Sequence, residues 1–206
     1  MKDSPADSEA LELFDSHAHL DFESFQTDMD AVMARARAAG VGQITTIGAG
    51  RGTEGAFEAV EQAARRDGVW ATVGVHPHEA VLGLEWQGAA AADISPELEM
   101  AWEQAWTTAE ARLSSLALHP KVVAIGEVGL DYHYDHSPRA LQRVLFRRFV
   151  QMAKGLKKPL VIHAREAEEE VAGILMEEQA QDCGGVIHCF SGHPALAKPG
   201  LDLGFF

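Results

Sequence analysis

The sequence predicts an α/β protein, a (β/α)8 barrel of parallel strands, and three observations carry that prediction. Short apolar runs alternate with helical patterns along most of the 206 residues, the rhythm of right-handed βαβ units. Histidines and carboxylates recur just past the ends of the first, third, fourth, fifth and sixth runs. In a closed barrel all those ends converge on one rim. No Gly-x-Gly-x-x-Gly follows the first run, which argues against an open doubly wound sheet with a dinucleotide site.

The elements follow in order. Residues 1–10 are acidic and read as a flexible N-terminal tail, leaving 11–206 as a single domain. The first strand covers 11–14 and runs into Asp15-Ser16-His17-Ala18-His19. A helix follows, with Thr27 as N-cap, Asp30 three residues on and Gly40 just past its end. Residues 41–47 make the second strand and 53–66 the next helix, which stops near Gly68. The third strand, 69–75, delivers His76-Pro77-His78. The rhythm pauses over 79–119, an alanine-rich stretch and a helix opened by Ser95-Pro96, whose Trp102 and Trp106 pack one face onto the domain. A fourth strand, 122–125, precedes Gly126-Glu127-Val128-Gly129-Leu130-Asp131-Tyr132. Ser137-Pro138 starts a helix whose Leu141, Leu145, Phe146, Phe149 and Met152 keep helical spacing. The fifth strand, 159–162, ends in His163-Ala164-Arg165, and a helix covers 167–181. Residues 185–187 lead into His188-Cys189-Phe190-Ser191-Gly192, and 201–206 read as a seventh strand.

Composition narrows the function. With 47% hydrophobic and 23% charged residues, disorder, collagen and fibrous coiled coil are excluded. The 31 acidic against 17 basic residues leave a charge of −14. Such a chain binds nucleic acid by no general basic surface, so any such contact is local and metal-assisted. There is no apolar run of membrane-spanning length and no signal peptide at the start, so no membrane partner is expected. Two cysteines, Cys183 and Cys189, suit a reducing cytosol, and the expected location is cytoplasmic.

His17 and His19, two apart on a strand, point the same way, and Asp15 shares their parity. That is half a metal site. Glu127 at the rim of a buried sheet is costly unless paired or metal-bound. His163 and His188 each end a further strand; singly, each reads as a hydrogen-bonded polar core group, and their convergence argues for metal. Five N/O ligands exceed one four-coordinate zinc site and suit two ions sharing a carboxylate. Two such ions clamp the oxygens of a hydrolytic displacement. Arg165 has the parity to enter the same mouth, either to bind a phosphate or carboxylate or to form an inner salt bridge with Glu127 or Asp131. Gly-x-Ser-x-Gly is absent, and Cys189, adjacent to His188, faces the other way and is expected in the buried wall.

Taken together, these blocks resemble the TatD family of metal-dependent deoxyribonucleases, among the amidohydrolase-type barrels. The resemblance rests on Asp15-Ser16-His17-Ala18-His19-Leu20, Gly74-Val75-His76-Pro77-His78, Gly126 to Tyr132, Ser137-Pro138-Arg139, Pro159 to Ala167 and His188 to Gly192, in the family's order. It implies that His17 and His19 hold one divalent ion, that Glu127 bridges both, and that His163 and His188 hold the second. It also implies phosphodiester hydrolysis, with exonuclease action on single-stranded DNA, Glu127 and Arg165 in catalytic roles, and Arg165, His76 and His78 facing the substrate. The sequence departs from the family in three places. Residues 79–119 are longer than the usual connection, Phe149 stands where a glutamine is expected, and the chain stops before the family's eighth strand and its Thr-Asp-x-Pro aspartate. It therefore reads as a barrel truncated within the seventh strand.

Two alternatives remain. One is an amide or ester hydrolase on the same barrel, acting for example on a charged tRNA, since shared ligands fix the chemistry more than the substrate. The other is an inactive metal-binding remnant. His/carboxylate ligands accept magnesium, manganese or zinc, and no obligatory protein partner is evident.

Overall fold

The computed structural model describes residues 12–206, so the tail expected over 1–10, and the first residue of the strand expected over 11–14, lie outside the described residues. Six strands are present: β1 (Leu13–Ala18), β2 (Val41–Thr46), β3 (Val69–Val73), β4 (Val122–Asp131), β5 (Leu160–Arg165) and β6 (Gly185–His188). The helices are α1 (Glu23–Gln26), α2 (Met29–Ala38), α3 (Gly52–Ala64), α4 (Pro96–Ala117), α5 (Arg139–Leu156), α6 (Glu168–Glu177) and α7 (Pro194–Asp202).

The strands lie in chain order, β1-β2-β3-β4-β5-β6, and every pairing is parallel. A doubly wound sheet reverses its strand order at a switch point; among the described residues there is none. The sheet also curls far round, because His17 from one edge strand stacks on His188 from the other at a centroid distance of 3.4 Å. Strands β3, β4 and β5 are buried on both faces, as parallel strands covered by helices should be, with Val73, Ile125, Leu130, Leu160 and Ile162 inaccessible to solvent. β1 differs: Leu13 and Phe14 are exposed, and among the described residues no strand pairs with its outer edge.

The 79–119 connection is fixed to the body through indoles. Ser95 Oγ accepts from the Leu98 N–H and Pro96 takes the first helical position of α4. Trp102 and Trp106 are both 1% exposed, and Trp102 Nε1 donates to the Ala80 carbonyl at 2.6 Å. Phe149 meets the Trp106 ring edge-on at 5.4 Å, so the aromatic at this position of α5 packs against the added helix.

Four expectations need correction. Thr27 closes α1 instead of opening a helix, and Asp28 precedes α2 without a side-chain cap, its carboxylate engaged by Arg35. The helix expected over 167–181 ends at Glu177, because Gln179 takes a left-handed φ of 55° before a 3-10 turn at Ala180–Asp182. The seventh strand expected over 201–206 begins inside α7, and only a single bridge, Gly185 to Phe205, joins the sheet there. A short apolar run does not distinguish strand from helix, and Leu196 and Gly200, four apart, are the buried helical face. Cys189 is exposed, since its left-handed φ of 51° takes it out of the strand alternation that would have buried it. Among the described residues no helix is long and apolar enough to cross a membrane.

Candidate metal centre

Glu127 sits at the middle of β4, 4% exposed, in a stretch where β5 approaches very closely. A Cβ at Gly126 would fall 2.4 Å from the Val161 carbonyl oxygen, and one at Gly129 2.0 Å from that of His163. Both glycines also have positive φ, 141° and 145°. Only glycine allows this approach, which brings the carboxylate of β4 against the imidazole of β5.

Five histidines from four strand ends surround that carboxylate. Its Oε2 faces His17 Nε2 at 3.4 Å and His19 Nε2 at 3.9 Å. Its Oε1 faces His163 Nδ1 at 2.8 Å and the Nε2 atoms of His76 and His188, each at 3.9 Å. Judged by mutual reach, the ligand atoms form two triads within 4.8 Å, His17-Glu127-His188 and His76-Glu127-His163. His188 thus joins His17 across the mouth because the two edge strands curl toward each other, while His19 lies outside both triads.

Electrostatics follow from burial and these contacts. Burial alone would raise the Glu127 carboxyl, but His163, His17 and His76 hold it well below the usual carboxylate range. Burial pushes the His76 imidazole down to about 3 and lowers His19, His78 and His188 as well. His163 is also buried, yet its contacts with Glu127 and Asp131 outweigh desolvation and raise it.

The donor set fits a divalent cation. His17 Nε2 is buried with no hydrogen-bond partner among the described residues and faces a carboxylate oxygen, an arrangement that a cation between the two would satisfy. His76 is different in kind. Its Nδ1 accepts the main-chain N–H of His78 at 3.2 Å, so in the neutral ring the proton sits on Nε2. That N–H points at His163 Nδ1, 3.3 Å away, and makes His76 a hydrogen-bond donor toward the centre.

The other expected residues are placed as follows. His78 Nε2 is 2.9 Å from Asp131 Oδ2. Arg165 is exposed and forms no ion pair with Glu127 or Asp131 among the described residues, so the inner salt bridge is not made; its guanidinium lies over the Tyr134 ring at 4.8 Å. Sequence reasoning gave Asp131 no place in the site beyond that salt bridge, and it gave none to Gln142, whose side chain brackets the Asp131 main chain. The available signal was parity, since Asp131 lies four residues beyond Glu127 on one strand and so shares its face.

Parallel strands in chain order, with a buried glutamate ringed by histidines at their C-terminal ends, are the architecture of metal-dependent barrel hydrolases. The chain belongs to the TatD-related DNase family, whose model matches residues 14–206. It is 38% identical over 194 residues to the uncharacterized metal-dependent hydrolase YabD of Bacillus subtilis, covering 94% of this chain and 67% of that protein. It is 34% identical over 195 residues to the 3'-5' ssDNA/RNA exonuclease TatD of Klebsiella pneumoniae, covering 94% and 65% respectively. The crystal structure of the TatD homolog YjjV of Escherichia coli superposes with a TM-score of 0.72 at 27% identity, over 94% of this chain and 66% of that one. The chain spans about two thirds of the length of these relatives.

Proposed function

We propose that this chain carries the metal site of a phosphodiesterase that hydrolyses nucleic acid, with single-stranded DNA as substrate. One observation carries the reading: both oxygens of a single buried carboxylate are faced by histidines from separate strand ends. Sorted by the carboxylate oxygen each faces, His17 and His19 with Oε2 of Glu127 would hold one divalent ion and His163 and His188 with Oε1 the second, as magnesium, manganese or zinc, although by mutual reach His188 also groups with His17. Such a pair, when bound, supplies Lewis-acid stabilisation and activates water near neutral pH.

The chain's own groups do the rest. Glu127 shares its charge between the two ligand sets and keeps its ionised form throughout the working pH range. His76, fixed with its proton on Nε2, donates toward the site rather than ligating, which suits contact with a phosphate oxygen. Arg165, without a carboxylate partner among the described residues and exposed, offers its guanidinium to a phosphate of the strand. That local positive charge matters on a chain of net charge −14, where the general surface repels a polyanion. The nucleic-acid substrate is supported by the exonuclease relatives in Klebsiella pneumoniae and Cronobacter turicensis. Cytoplasmic residence is supported by two cysteines that are both free.

The test is hydrolysis of end-labelled single-stranded DNA by protein loaded with manganese, magnesium or zinc and by chelated protein, beside arms offering amide and ester substrates. Metal-dependent release of nucleotides supports the reading. Turnover of amides or esters with DNA left intact overturns the substrate, and no zinc or manganese retained after dialysis overturns the site.

A further inference from the structure

We propose that Asp131 is a positioning residue: one buried carboxylate that fixes the tautomer of both His163 and His78, leaving Nδ1 of His163 as the atom that meets a metal ion. The ligand half of this proposal rests on the metal reading above; the tautomer half does not.

Asp131 ends β4 with 0% exposure, and both its oxygens are fully used. Oδ1 accepts the main-chain N–H groups of His133 at 3.1 Å and Tyr134 at 2.9 Å. Oδ2 lies 2.9 Å from His78 Nε2 and 2.9 Å from His163 Nε2. An ionised carboxylate has no proton to give, so each Nε2 facing it must be the donor. The neutral ring of His163 then has its lone pair on Nδ1, the nitrogen 2.8 Å from Glu127 Oε1.

The main chain that carries this carboxylate is itself held by a buried side chain. Gln142, also 0% exposed, accepts the Asp131 N–H through Oε1 at 2.9 Å. Its Nε2 donates to the carbonyls of Asp131 at 3.1 Å and Ser137 at 3.0 Å. Ser137 Oγ in turn donates to the His78 carbonyl at 2.7 Å, tying the loop after β3 to the same clamp. A histidine that binds metal through one nitrogen and donates through the other to a carboxylate is oriented and made more basic by that partner. Here one partner serves a metal-side and a substrate-side histidine together.

Asp131→Asn separates this role from a purely structural one. The amide keeps the shape, but its single oxygen is claimed by the two main-chain N–H groups, so its NH2 turns to the imidazoles. Both Nε2 atoms must then accept, and the proton moves to Nδ1, the atom facing Glu127. The experiment uses histidine-labelled, metal-free protein at pH 8, with ring-nitrogen NMR reporting the protonation of each nitrogen, and zinc titration calorimetry. In wild type, Nε2 of His163 and His78 should carry a proton; in the variant it should not. Zinc should bind the variant about 10- to 100-fold more weakly, with thermal unfolding still cooperative. An unprotonated Nε2 on His163 in wild type overturns the proposal even if the variant fails to fold, and so does unchanged zinc affinity in a variant whose tautomers have switched. A wild-type chain that binds no zinc overturns the metal reading and the ligand half with it, while the nitrogen signals still decide the tautomer half.

Discussion

Replacing Glu127 by glutamine keeps the volume at the centre of the site and removes its charge. In the metal-free protein the change is mild on one side, because the amide NH2 can donate to the Nδ1 lone pair of His163, which lies 2.8 Å from Oε1. The other side is costly. Oε2, which faces His17 Nε2 at 3.4 Å and His19 Nε2 at 3.9 Å, or Oε1, which faces three more imidazoles, must become an NH2 group that no cation tolerates as a ligand. Removing one member of a buried charged pair costs about 3–5 kcal/mol, a factor of roughly one hundred to several thousand in affinity. Both ions share this carboxylate in the proposed arrangement, so both should be lost together. The assay is elemental analysis after dialysis, zinc titration calorimetry, and nuclease activity on single-stranded DNA at saturating metal, with circular dichroism to confirm the fold. Retention of metal at wild-type affinity by a folded Glu127→Gln variant would refute the bridging role, and retention of a single ion would refute the sharing.

Arg165→Ala should lower kcat/KM on DNA by about 2 kcal/mol through lost charge-assisted contact, with the melting temperature unchanged because Arg165 makes no ion pair among the described residues. A marked loss of stability with unchanged kinetics would show a structural role. Trp102 and Trp106 are equally buried, but Trp102 Nε1 donates to Ala80 whereas Trp106 Nε1 has no partner among the described residues. Trp102→Phe should therefore cost about 1–2 kcal/mol more than Trp106→Phe, a melting temperature about 2–8 °C lower by calorimetry. In chelated protein, His76 at about 3 contributes stability above the ordinary histidine value of 6.5, and that contribution fades as pH falls from there toward 3. Asp131 opposes burial through the Tyr134 N–H, His163 and His78 and sits at about 2 against an ordinary 3.8, so its contribution, about 2 kcal/mol, is lost only below pH 4. His163, raised, works the opposite way and gives up stability as pH climbs through its raised value. Urea titrations from pH 8 to pH 3 should show stability falling on the acid side; a flat profile would contradict these environments.

The sheet was legible because five strand ends carry polar residues that make no sense scattered, and because His17 and His19 share parity with the residue type that metal demands. The glutamate could be singled out from its cost alone, a carboxylate directly after an apolar strand at the rim of a buried sheet, though the strand itself runs on through it to Asp131. The grouping around it was not legible. That His188 stacks on His17 follows from the curl of the whole sheet, which no local pattern encodes. The His76 tautomer depends on one main-chain N–H placed by the Pro77 turn, and Arg165 reaches Tyr134 because of a loop conformation, not its strand parity. The 201–206 run misled for a simpler reason: its apolar residues fit either period, and the run is divided, with Leu201 and Asp202 closing the helix whose buried face is Leu196 and Gly200 and Phe205 bridging to Gly185 beside β6.

The central claim is that one carboxylate, Glu127, stands between two metal ions held by histidines of separate strands. Anomalous diffraction from a manganese- or zinc-loaded crystal tests it most directly. The account predicts two peaks roughly 3.5–4 Å apart, each touching a different oxygen of Glu127, with His17 at one and His163 Nδ1 at the other. A single ion away from Glu127, or full nuclease activity in crystals and solution with no ion at that carboxylate, would contradict it.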